Sequence, residues 1–295
     1  MIKKLLKVLC VLCLVAAYFS CGDESSDTKK TEESDAVIDM VRIPAEGITF
    51  SMGEEWLSEN AWVDSPWVQE VTLTRDFYMS TTEITQKQYE DITGENPSRY
   101  TGENRPVENV SWFDAVRFCN ALSRSQGRDP VYYYAGEPVD ESTDEGEWDS
   151  PADWQADFTK NGYRLPTEAE WEFAARSGQN FEYPTDTGEI DHDRARYGQD
   201  WTDPSAGTGP VKSFPASPYG LFDMAGNVVE WCHDWYGPYS DTAVTDPLGP
   251  PEGEYRIQRG GAWDNEASAL RCAEREYGAP QGSGYTGGFR VVYFP

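Results

Sequence analysis

The chain has 295 residues, 38 % of them hydrophobic and 14 % aromatic, enough to bury a sizeable core and too apolar for wholesale disorder. A formal net charge of −28 repels phosphate backbones and anionic lipid headgroups, which argues against nucleic-acid binding. Eleven Trp and 26 Gly favour loops packed around aromatics over a helical bundle, and two His leave no room for a His-rich metal site.

Residues 1–20 carry Lys3, Lys4 and Lys7, then an apolar run, then a small residue before Cys21. This is signal-peptide anatomy, too short and interrupted to span a membrane comfortably. Its removal makes the chain three units more acidic. The next segment, CGDESSDTKKTEESD, is polar and low in complexity, so residues 21–38 read as a flexible tether. A small residue, a cysteine and a tether together resemble a lipoprotein processing site with Cys21 as the lipidated residue, although Tyr18 stands where most such sites carry Leu. The alternative is a plain signal peptide cut nearby, with Cys21 an ordinary thiol. The lipidated reading implies an exported protein held to the membrane by its lipid, at the outer membrane or cell surface. Beyond the anchor only Cys119, Cys232 and Cys272 remain, which allows at most one disulfide.

Residues 41–53, VRIPAEGITFSMG, alternate apolar and polar side chains up to a glycine and predict an opening strand. Residues 71–85 read as a second strand running into a helix, where Thr85 and Gln88 have capping-box spacing and Gly94 can close the last turn. A further helix follows Ser111 and Asp114, with Ala115, Phe118, Cys119 and Leu122 on its inner face. Residues 129–160 contain three consecutive Tyr and an acidic run, and read as a long exposed loop or insertion. The sharpest local signal is GYRLPTEAEWEFAARSG over 162–178: Thr167 caps, Glu170 answers it, Trp171, Ala174 and Ala175 form the buried stripe, and Gly178 ends the helix. From 179 onward helical periodicity is lost, and short strands and loops around a small sheet are expected.

That segment, YGLFDMAGNVVEW (219–231), RGGAW (259–263) and the terminal GGFRVV (287–292) occur in the order typical of formylglycine-generating-enzyme-like, or sulfatase-modifying-factor, domains. VRIPAEGITFSMG, EITQKQY and RPVENVSWFDAV fit the same family upstream. The resemblance covers residues 39–294. It implies one α+β domain over 39–295 with a C-type-lectin-like architecture: little regular secondary structure, short antiparallel sheets and a few helices.

The family's enzymes oxidise a substrate cysteine using copper held by two cysteines, and soft thiolates are what Cu(I) prefers. In this sequence the first of those positions falls on Asn265 and the second near Leu270; Ala262 stands in place of a serine and Val229 in place of the active-site tryptophan. The resemblance therefore carries over no catalytic residue and no copper. Cys272 and Cys119 align with cysteines of structural disulfides whose partners would lie at Ala174 and Val291, so both are expected as buried free thiols. The family's structural calcium would fall on Asp223 and Glu230 for side-chain oxygens and on Gly226 and Val228 for carbonyls. Alternatively, Asp223 and Glu230 cap backbone amides in a tight Gly-Asn turn.

With catalysis discounted, function is expected on the surface between RGGAW and GGFRVV. The candidate ligand-binding residues are Trp263, Asp264, Asn265, Glu266, Ser268, Glu274, Glu276, Tyr277, Gly278, Gln281, Ser283, Tyr285 and Thr286. Small polar residues with interspersed Tyr make adaptable contact surfaces, since Tyr adds area at low entropy cost. The arrangement resembles the C-terminal variable region of proteins diversified by retroelements, some of which are surface lipoproteins. The reading is a non-catalytic lipoprotein binding a protein or glycan ligand; the alternatives are an enzyme with a divergent active site and a cell-envelope scaffold. Trp112, Trp171, Trp231 and Trp263 are read as core, and Arg259, Arg271, Arg275 and Arg290 as partners of buried carboxylates such as Glu168, Glu170 and Glu230.

Overall fold

The computed structural model describes residues 37–54, 68–140 and 154–295, all within one unit spanning 34–295. The expected signal segment 1–20, the candidate lipidation residue Cys21 and most of the expected tether 21–38 lie outside the described residues. Among the described residues no helix is long and apolar enough to cross a membrane.

In chain order the elements are β1 (Met40–Ile43), β2 (Ile48–Gly53), β3 (Val68–Leu73), β4 (Phe77–Ser80), α1 (Gln86–Thr93), α2 (Trp112–Ser125), β5 (Tyr132–Tyr134), β6 (Glu137–Pro138), β7 (Trp154–Ala156), α3 (Glu168–Arg176), β8 (Val229–Trp235), β9 (Val244–Thr245), β10 (Arg256–Arg259), β11 (Glu276–Gly278), β12 (Gly287–Gly288) and β13 (Val292–Tyr293). They form four small sheets, ordered β1-β4-β13, β2-β3-β9, β6-β5-β7 and β11-β10-β8-β12. Pairing is antiparallel except at β3–β9 and β8–β12. This is a mixed α+β fold with modest helix and short, mostly antiparallel sheets, as the sequence predicts.

The three α-helices among the described residues start where the sequence places them. Thr85, Ser111 and Thr167 each accept a hydrogen bond from the amide three residues on, and Gln88, Asp114 and Glu170 answer with their side chains. Reciprocal bonding satisfies two otherwise orphaned amides at each helix start.

Two expectations change. The opening strand is two strands, β1 and β2, because the chain turns through residues 44–47 with Gly47 at φ 73°, a left-handed conformation that glycine adopts without strain. The tyrosine run is not exposed loop but β5, with Tyr132 buried. The side chain of Asn120 on α2 is the cause. Its Oδ1 accepts from the amides of Val131 and Tyr132 at 3.1 Å each, and its Nδ2 donates to the carbonyls of Tyr132 and Val139 at 2.8 and 3.0 Å. Part of the acidic stretch, residues 141–153, falls outside the described residues.

Helix α3 is buried along its whole length, although three of its nine residues are glutamates. Each glutamate meets a different arginine. Arg164 forks onto Glu170 with two bonds of 2.6 Å, Arg275 onto Glu168 at 2.6 and 2.9 Å, and Arg259 and Arg176 both donate to Glu172. Arg290 forks onto Glu230 of β8 at 2.7 Å on both oxygens, and the Trp171 indole adds a third donor at 2.7 Å. Arg271 takes Glu182 nearer the surface. Burial pushes the Glu168 carboxyl up, but Arg275 and Arg259 more than offset this and hold it below the usual carboxylate range. Cys119, Cys232 and Cys272 are buried free thiols. Cys119 lies in one apolar cluster with Val291, and Cys272 in another with Ala174.

Removing one member of a buried pair strands the other in low dielectric. Glu172→Ala is expected to cost about 3–5 kcal/mol in denaturant unfolding. Lys87→Ala, which breaks an exposed helical pair with Asp91, is expected to change stability by no more than about 1 kcal/mol.

Candidate functional site

Residues 264–286 form a surface pinned to the core at a few points and open between them. The Cys272 amide donates to the Glu182 carbonyl at 2.8 Å, Arg259 donates to the Glu274 carbonyl, and Arg275 reaches Glu168. At the far end, the amides of Trp112, Asn109 and Val229 donate to the carbonyls of Pro280, Gly284 and Thr286 at 3.0, 2.9 and 2.8 Å. Leu270, Cys272 and Ala273 point inward and are buried. Glu266, Ser268, Tyr277, Gln281, Ser283 and Tyr285 are exposed, and Asp264, Asn265, Glu274, Glu276, Gly278 and Thr286 are partly so.

Trp263, counted with the ligand-binding residues by position, lies fully buried beneath this surface. Its ring packs at 5.5 Å from that of Tyr100 and 6.1 Å from that of Tyr285, so it supports the face and does not form it. Arg99 lies over the Tyr285 ring at 4.9 Å. At the other end Tyr277, about half exposed, packs at 4.5 Å from Tyr236 and 5.1 Å from Tyr255. Tyr100, Arg99, Tyr236 and Tyr255 join the face from distant segments, and no spacing in the sequence links them to it.

On the same surface, the carboxylates of Asp264 and Glu274 lie near enough to Glu276 to act on its charge. Burial pushes the Glu276 carboxyl up to about 7, and the charges of Glu274 and Asp264 add to the shift. Burial also raises Asp264 and Glu274. The Glu276 Oε1 is buried without a hydrogen-bond partner. The face therefore gathers acidic groups that are partly desolvated, with Arg259 and Arg271 acting on Glu274 and no partner meeting Glu276 Oε1.

The four altered enzyme positions are filled by other groups. The Asn265 side chain accepts from the Ala262 amide at 2.7 Å and closes a turn. Leu270 packs with Tyr183, Ala195 and Ala225, while Ala262 and Val229 are buried.

At the calcium positions, Asp223 accepts from the Lys212 amide at 2.7 Å, and Glu230 takes Arg290 and Trp171. Among the described residues no three His, Cys, Asp or Glu side chains converge to hold a metal. Backbone oxygens such as those of Gly226 and Val228 would have to complete a site. Glu83, which sequence reasoning missed, is buried beside Asp223 and Glu230 with one oxygen unpartnered. Burial and these two neighbours push its carboxyl well up, and burial pushes Asp223 up to about 6. One arginine, Arg290, faces all three acids.

The chain, with its buried helix α3 and its RGGAW and GGFRVV segments, belongs to the sulfatase-modifying factor enzyme 1-like domain family, whose model matches residues 25–294. Its relatives differ in role. It is 37 % identical over 242 residues to the chaperone protein LppX of Paenibacillus barcinonensis, covering 75 % of this chain and 81 % of that protein. It is 48 % identical over 136 residues to the serine/threonine-protein kinase Pkn1 of Chlamydia trachomatis, an alignment spanning 44 % of this chain and only 21 % of the kinase. Among solved structures it superposes on Treponema denticola variable protein 1 with a TM-score of 0.74 and 31 % identity, covering 87 % of this chain and 95 % of that one.

A carboxyl whose folded-state pKa is raised stabilises the fold fully below its unfolded pKa and loses that contribution as pH rises through the folded value. The Glu276 contribution is therefore expected to fade as pH climbs from about 4.5 to about 7. In a melting-temperature profile, Glu276→Gln should decline less than the native chain across this window; parallel profiles would contradict the assignment.

Proposed function

We propose that this chain is a non-catalytic, ligand-binding lipoprotein of the cell envelope, anchored through Cys21, whose binding face is the surface of residues 264–286. The observation that carries this reading is the combination on one face of exposed Tyr277 and Tyr285 with Glu276, whose carboxyl is raised by burial and by the charges of Glu274 and Asp264. A partly desolvated acidic patch on the same face as aromatic anchors favours a ligand presenting a cationic group, such as a basic side chain of a protein or an amino sugar of a glycan. The groups at the enzyme's copper positions, a turn-closing amide and a buried leucine, offer no thiolate pair, which supports a role without formylglycine chemistry. Calcium at Asp223, Glu230 and the Gly226 and Val228 carbonyls, aided by the Glu83 oxygen, is part of the proposal as a structural ion.

The similarity to a protein named as variable supports a finer form, in which codons 264–286 are rewritten by a retroelement; comparing the 3′ end of the gene across isolates separates diversified from fixed. The similarity to LppX over most of its length favours a second reading, in which the face holds a folding client at the envelope.

The test is binding to arrayed basic, neutral and acidic peptides and glycans. Selective, salt-sensitive retention of basic probes is expected, with Glu274→Gln/Glu276→Gln and Tyr277→Ala/Tyr285→Ala each weakening it by about tenfold or more. Equal binding by native and substituted chains would remove the proposed face. Chelation should lower the melting temperature of the native chain and leave that of Asp223→Asn unchanged.

A further inference from the structure

Beyond the 264–286 face, the molecule carries a cavity of about 330 Å³ against the outer end of β8. Its walls include Trp112 from α2, Trp154 from β7, and His233 and Trp235 from β8, with Leu248 and Pro250 at one side. Into this apolar surround β10 places Arg256. The guanidinium is sandwiched between two indoles, 3.8 Å from the Trp112 ring centre and 3.5 Å from that of Trp235. Its Nη1 donates to the His233 carbonyl at 2.5 Å, while its Nε has no partner. Among the described residues no carboxylate forms an ion pair with Arg256, although Arg164, Arg176, Arg259, Arg275 and Arg290 all have one. His233 Nδ1 also lacks a partner.

A buried cation is normally matched by a buried anion, and cation–π contacts offset only part of its desolvation. Asp234 acts on the Arg256 charge without forming an ion pair with it, and Arg256 lines the cavity. We propose that this cavity is a second binding site, taking a small aromatic carboxylate whose head meets the Arg256 guanidinium and whose ring lies among Trp112, Trp154 and Trp235. A planar guanidinium edge matches a carboxylate in two parallel hydrogen bonds. A single guanidinium in a chain of net charge −28 suits a monoanion better than a polyanion. The volume falls in the lower range of small-molecule pockets, and a few polar groups in an aromatic wall fix orientation.

The experiment titrates the chain with 3-phenylpropionate and with its neutral amide, 3-phenylpropanamide, following tryptophan fluorescence and ligand-observed NMR. Saturable binding of the acid at or below about 1 mM is expected, with the amide weaker by tenfold or more. Leu248→Trp alters an exposed side chain at the cavity wall and should abolish binding while leaving the fold intact. Arg256→Met should remove the preference for the acid; if that variant does not fold, the acid–amide comparison and Leu248→Trp still decide. Equal affinity for acid and amide, binding undiminished by Leu248→Trp, or no saturable binding of the acid by about 10 mM would each overturn the proposal.

Discussion

Glu168, Glu170 and Glu172 on one short helix, and Glu230 on the strand behind it, are removed from water and held by arginines from four other segments. Four buried negative charges on these elements would be untenable alone. Each is therefore a point at which a distant part of the chain must arrive with the right geometry. Arg164 fixes the approach to the helix, Arg259 and Arg275 fix the two ends of the segment before β11, and Arg290 fixes the C-terminal run. In a fold with strands of two to seven residues, these pairings supply registration that long sheets supply elsewhere.

This arrangement separates what holds the chain from what it displays. Arg259 touches the Glu172 carboxylate on one side and the Glu274 carbonyl on the other, so a buried charge and the backbone of the outer face share one side chain. Inward-facing Leu270, Cys272 and Ala273 alternate with outward-facing polar residues, and the far end hangs on backbone bonds to Pro280, Gly284 and Thr286. Backbone bonds do not depend on side-chain identity. A surface attached in this way keeps its supports apart from its outward side chains.

Much of the frame was legible because its signals are local. Thr85, Ser111 and Thr167 announce helix starts by residue type and spacing alone, and the acid–arginine pairings could be guessed from charged residues inside otherwise apolar motifs. The pairings themselves were less visible: Glu170 meets Arg164, six residues away in sequence, and not one of the four arginines near the C terminus. Tyr132 read as exposed because nothing nearby shows that Asn120 would bind its backbone from the preceding helix. On the candidate face, Tyr277 and Tyr285 were found through their segment, whereas Tyr100 and Tyr236 were not, since only the fold brings them there. Trp263 was placed both in the core and on the face, and its burial under Tyr285 shows how one residue can do the first in service of the second.

If buried ion pairs and backbone bonds carry residues 264–286, the outward side chains of that surface leave the fold unconstrained. The most direct test is saturation mutagenesis of 259–290 scored for folded protein by protease resistance. Broad tolerance is expected at Glu266, Ser268, Tyr277, Gln281, Ser283 and Tyr285, and near-complete intolerance at Arg259, Leu270, Arg275 and Arg290. Intolerance at the first set equal to that at the second would show that the surface is part of the core's own packing and would contradict the account.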